Sequence, residues 1–134
     1  MWTVDVFVDY EPWAAMPFQR SRLMNLVPKP EWGKYLDRVS RGMVGLRAEI
    51  EVASLELGDQ IEAQYLPIAG IFYDHKDDLV GVTLEGLDHM IRHPQSIYVE
   101  ESGDGVAAIA VIDGDGTNHL VKLRRPLALP APDQ

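Results

Sequence analysis

Apolar and polar residues alternate at the start of the chain, Phe7 apart. Trp2, Val4, Val6 and Val8 fall on one side, and Thr3, Asp5, Phe7 and Asp9 on the other. This period of two predicts a strand. The following stretch, EPWAAMPFQRSRLMNLVPKP, carries four prolines and no period. It predicts a connecting arm, and an arm this long is unusual inside a compact domain. Residues 1–27 therefore read as an appendage or an extra strand. Pro30 opens a different pattern. Trp32, Tyr35, Leu36, Val39 and Met43 recur at helical spacing and make one apolar stripe. Proline suits the first helical position, Glu31 its positive end, and Arg38 and Arg41 its negative end.

Beyond Gly42 the period returns to two. Leu46, Ala48, Ile50 and Val52 alternate with Arg47, Glu49 and Glu51, and Ile61, Ala63 and Tyr65 with Glu62 and Gln64. Ile68 to Tyr73 is a continuous apolar run, as expected of a strand with little solvent on either face. The acidic turn DHKDD leads into a strand at Leu79–Leu84. Gly86 to His93 reads as one short helix, stopped by Pro94. Ile97–Glu100, Val106–Ile112 and Thr117–Arg124 read as three further strands, joined by the turn sequences SGDG and DGDG. No repeat is visible.

The predicted fold class is α+β: an N-terminal helix packed on a strongly bent antiparallel sheet or half-barrel, with a short helix inserted near residues 86–93. One domain over 28–125 would be flanked by the arm at 1–27 and a flexible tail at 126–134. The 134-residue length suits a single core.

Composition narrows the function. The chain has no cysteine, which removes disulfide scaffolds, thiol nucleophiles and Cys-ligated zinc. Acidic residues outnumber basic ones 21 to 12, for a net charge of -9. Such a surface repels nucleic acid and anionic lipid. The basic residues concentrate at Lys34, Arg38 and Arg41 and at Lys122, Arg124 and Arg125, both short groups. No apolar run approaches a membrane span, and the N-terminus lacks a basic leader. The expectation is a cytoplasmic protein that binds neither nucleic acid nor membrane.

Candidate chemistry concentrates between Phe72 and Pro94. His89 and His93, four apart on a helix, would share a face, and Asp88 could complete a metal-binding set. Met90 stands where a zinc hydrolase of the H-E-x-x-H type needs Glu, which discards that class. Structural roles compete: His93 at a helix C-terminus, and His89 bonded to a neighbouring strand or loop. His119 reads as a satisfied sheet histidine facing with Val121 and Leu123. Asp113-Gly-Asp115-Gly starts like a calcium loop, but Asn118 and Arg124 occupy the positions that need Gly and an acid, so a β-turn is expected. Glu49, Glu51 and Glu62 look solvated. No nucleophile elbow, phosphate loop or cofactor-binding motif is present, so no cofactor is expected and an enzyme is disfavoured.

Four phrases in order carry a resemblance: VPKPEWGKYLDRVSRG, IEAQYLPIAGIFYDHKDD, LDHMIRHPQSIYVEE and VIDGDGTNHLVKLR. Together they resemble a family of short bacterial proteins described as a domain of unknown function, over about residues 27–124. The resemblance implies a small α+β domain and brings no activity, cofactor or catalytic residue. The first 23 or so residues lie outside it. The function expected is a protein-binding or self-associating module. It would work through exposed sheet edges and the aromatic arm, with Trp2, Trp13 and Phe18 as binding residues. The alternative is a metal-binding enzyme or sensor using His89, His93 and a nearby carboxylate such as Asp88.

Overall fold

The computed structural model describes residues 24–56, 58–102 and 105–130. The candidate binding residues Trp2, Trp13 and Phe18, and the alternating stretch around them, lie outside the described residues. In chain order the elements are β1 (Met24–Leu26), a 3-10 turn (Lys29–Glu31), α1 (Trp32–Arg41), β2 (Arg47–Ser54), β3 (Gly58–Asp74), β4 (Leu79–Leu84), β5 (Leu87–Arg92), β6 (Pro94–Ser102), β7 (Gly105–Asp113) and β8 (Asn118–Ala128). The strands form one antiparallel sheet in the order β1-β6-β7-β8-β2-β3-β4-β5. The ends do not join, so the sheet is open. Among the described residues no helix is long and apolar enough to cross a membrane.

The stripe Trp32, Leu36, Val39 and Met43 is buried, none of it more than 1% exposed. It packs into one cluster with Ile50, Ile71, Val80, Ile91, Ile109 and Val121, so the helix covers the inner face of the sheet. Trp32 anchors the entry to α1. Its indole N–H donates to the Val27 carbonyl at 2.9 Å, and its ring meets Tyr73 edge-on at 5.1 Å. The helix stops at Gly42, whose φ of -89° is ordinary. Glycine is needed there for approach: a Cβ would come within 2.5 Å of Leu127 and 2.9 Å of the Ala128 carbonyl. A second, smaller cluster of Ala53, Ala108, Ala110 and Leu120, with Met24 and Tyr98 against it, lies on the opposite face.

β3 is the strand that changes partner. It pairs with β2 as far as Pro67 and with β4 from Ile68. Tyr65, with φ 54°, marks the irregular stretch between them. Past Pro67 this edge of β3 has lost β2, and Ser40 of α1 takes over. The Ser40 hydroxyl donates to the Ile71 carbonyl at 2.6 Å and accepts from the Ile71 amide at 2.8 Å. A side chain thus satisfies backbone groups that would otherwise be orphaned.

Several expectations need correction. Residues 86–93 are not a helix. Glu85 and Gly86 form a two-residue turn, with Gly86 at φ 79°, and Leu87–Arg92 pairs with β4 as strand β5. The run at Ile68–Tyr73 is not closed on both faces, because Ala69 and Phe72 are exposed. The strand buried on both faces is β4, where only Thr83 is more than slightly open. The C-terminal segment stays in the sheet past residue 126: Leu127 is 1% exposed and β8 reaches Ala128.

Candidate functional site

Two features converge on β5. Its ladder with β4 pairs Leu84–Leu87, Val82–His89 and Val80–Ile91, with Thr83–Asp88, Gly81–Met90 and Leu79–Arg92 between them. A two-residue turn makes its flanking pair a hydrogen-bonded one, and bonded pairs alternate from there. Leu87, His89 and Ile91 therefore bond to β4. Asp88, Met90 and Arg92 point their amides and carbonyls toward the open edge. Side chains alternate with the backbone. Ile91 is buried and Leu87 and His89 half-buried, whereas Asp88, Met90 and Arg92 are all exposed.

The outer row runs Phe72–Gly81–Met90 across β3, β4 and β5. Phe72 and Met90 are 38% and 46% exposed. The Phe72 ring lies over Gly81, where a Cβ would collide with it. The result is an apolar strip ending at a strand edge that is unpaired among the described residues, flanked on β5 by Asp88 and Arg92.

Beneath that edge, His89 turns inward. Its Nε2 lies 2.9 Å from Nδ1 of His119 on β8. Nε2 of His119 lies 2.9 Å from Oδ2 of Asp113. Oδ1 of Asp113 accepts the amides of Asp115 and Thr117 at 2.9 and 3.0 Å. The DGDG turn therefore is a β-turn, and its first aspartate is spent on holding the turn and His119. The direction of the chain follows from the carboxylate, which only accepts. His119 then carries its proton on Nε2, His89 donates from Nε2 to His119 Nδ1, and His89 Nδ1 keeps a lone pair. Burial pushes the His89 pKa down, and the nearby His119 pushes it further; Glu62 pulls the other way.

His93 belongs to a separate group. It sits at the corner between β5 and β6 with φ 54°. Its amide donates to the Asp78 carbonyl at 2.8 Å, and its Nδ1 lies 3.4 Å from Asp78 Oδ2. Asp78 also accepts from the Tyr73 hydroxyl at 2.9 Å. That bond leads in lowering the Asp78 pKa, ahead of the contact with His93 and the charge of Lys29.

The expected metal set is thus distributed. His89 turns to His119, His93 to Asp78, and Asp88 lies on the face opposite His89. Among the described residues no group of three or more His, Asp or Glu side chains is placed to hold a metal ion. Glu49 is also not solvated. It is 6% exposed, and Lys122 lies 4.0 Å from it and 3.7 Å from Glu51.

No local sequence pattern brings Asp113, His119 and His89 together. The available signal is an inward histidine six residues after an Asp-Gly turn. The β5 edge has no clear alternating signal, because His89 takes the inward place and Met90 the outward one.

Comparison with known proteins adds a family and a relative. The profile of the Family of unknown function (DUF5335) matches residues 23–132. An "Uncharacterized protein" of Aquifex aeolicus (strain VF5) is 38% identical over 105 residues, covering 78% of this chain and 95% of the relative. No solved structure matches.

Proposed function

Since the chain belongs to the Family of unknown function (DUF5335), which has no activity to lend, we propose from geometry that it is a protein-binding module that receives an extended strand at the open edge of β5. The observation that carries the reading is the exposed row Asp88, Met90 and Arg92, whose backbone groups face outward beside Phe72. Main-chain bonds to an added strand supply affinity, and alternate side chains supply selectivity. Natural sheets cover or blunt their edges. Here the outward centre is Met90, an adaptable apolar contact. The Asp113–His119–His89 chain ties β5 to β8 from the inside and keeps the edge in place.

An amide-resolved NMR titration with a panel of hexapeptides of alternating apolar and charged residues tests this. Binding must perturb the Asp88, Met90 and Arg92 amides. Met90→Pro must abolish it without unfolding the protein, because that amide makes no internal ladder bond. Perturbations centred on α1 or β1, with β5 silent, contradict the reading.

A further inference from the structure

The β5 edge is complementary to its own reverse. Its outward residues are Asp88, Met90 and Arg92, in that order. In an antiparallel pair centred on Met90, Asp88 of one chain faces Arg92 of the other, and Arg92 faces Asp88. Met90 meets its own counterpart on the axis. All three positions present outward backbone groups, so a pair in this register closes about six main-chain bonds. The strip Phe72–Gly81–Met90 then continues across the axis into the same strip of the second molecule.

We infer that the partner of this edge is a second copy of the chain, joined β5 to β5 about a two-fold axis through Met90. The inference rests on the open-edge reading and names its occupant. Three observations select this occupant. The charges complement each other only in the antiparallel register centred on Met90; a parallel pair would set like charges side by side. Two large exposed apolar side chains, Phe72 and Met90, lie in the row that crosses the axis. The strand is also bounded on both sides, by the turn at Gly86 and the corner at His93, which fixes the length of the pairing. A two-fold interface of this kind is self-complementary and closes at two copies.

The test is sedimentation velocity of the full chain over a concentration series, at about 0.15 M salt to screen the net negative charge. Wild type is expected to show a reversible monomer–dimer equilibrium. Asp88→Arg places Arg at both charged positions, and Arg92→Asp places Asp at both. Each variant alone is expected to weaken the dimer about tenfold or more, since two attractive cross-strand pairs become repulsive. An equimolar mixture of the two variants is expected to restore the dimer as a heterodimer. Circular dichroism of each variant establishes that it is folded. A wild type that stays monomeric overturns the inference, as does a dimer indifferent to both substitutions. If wild type is monomeric but the peptide titration still perturbs β5, self-pairing falls and the open-edge reading stands; if both fail, both fall.

Discussion

His89 on β5 and His119 on β8 are held together by a 2.9 Å contact between Nε2 and Nδ1, although the two strands lie at distant positions in the sheet order. The contact joins the β5 end of the open sheet to β8 across the inner face. It is directional, because Asp113 fixes the proton on the far nitrogen of His119.

That direction has a spectroscopic consequence. At neutral pH, long-range nitrogen–proton correlation spectra are expected to show both His119 and His89 as Nε2–H tautomers. Asp113→Asn supplies an amide that can donate as well as accept, so it is expected to loosen the assignment of His119. Unchanged tautomers in Asp113→Asn would mean that the carboxylate does not set the chain.

The pair also makes stability depend on pH. The folded His89 pKa lies below its ordinary value of 6.5, so near and below that pH the unfolded chain binds more protons than the folded one. Stability is therefore fully present above pH 6.5 and is lost as the pH falls through 6.5 toward the lower folded value. His119, Asp113 and Glu62 are the titratable groups that bear on this window. Urea melts from pH 8 to 5 on wild type and His89→Gln are expected to show a shallower loss in the variant. Parallel profiles would assign the loss elsewhere.

Ser40 gives a second stability test. Its hydroxyl serves both backbone groups of Ile71, at 2.6 and 2.8 Å. Ser40→Ala leaves a partly buried amide and carbonyl unpaired and is expected to cost about 1–3 kcal/mol in chemical denaturation. A cost near zero would show that water replaces the hydroxyl there.

Gly81 and Phe72 are coupled through space, since a Cβ at Gly81 runs into the Phe72 ring. Gly81→Ala is expected to destabilise by about 1–3 kcal/mol. In a Phe72→Ala background the same substitution is expected to cost clearly less, and the double-mutant cycle reads the difference. Additive costs would mean that the ring does not rest on Gly81.

These residues also show what was legible in the sequence and what was not. The strands expected at Ala48–Val52, Leu79–Leu84 and Val106–Ile112 lie in the antiparallel sheet, the first marked by its alternation and the other two by largely apolar runs. Gly42 reads as a helix stop, but its reason is tertiary, the nearness of Leu127. The helical pattern of β5 arises because its central pair is inverted. His89 faces inward, made tolerable by His119, and Met90 faces outward, at an edge where a partner strand would cover it. With those two exchanged, period two disappears and Leu87 and Ile91 mimic a helical spacing. The Asp113–His119–His89 chain was invisible for another reason. It depends on β3 switching partners at Pro67, which no local pattern announces.

The central claim is that β5 presents an open edge that a strand can occupy. Residue-resolved amide hydrogen exchange in dilute solution tests it most directly, comparing Asp88, Met90 and Arg92 with their neighbours His89 and Ile91. The expected result is alternation. The first three exchange as exposed amides and the other two are protected by β4; adding a saturating extended peptide then protects all five. Uniform protection along β5 in the free monomer, or no gain at Asp88, Met90 and Arg92 with bound peptide, would contradict it.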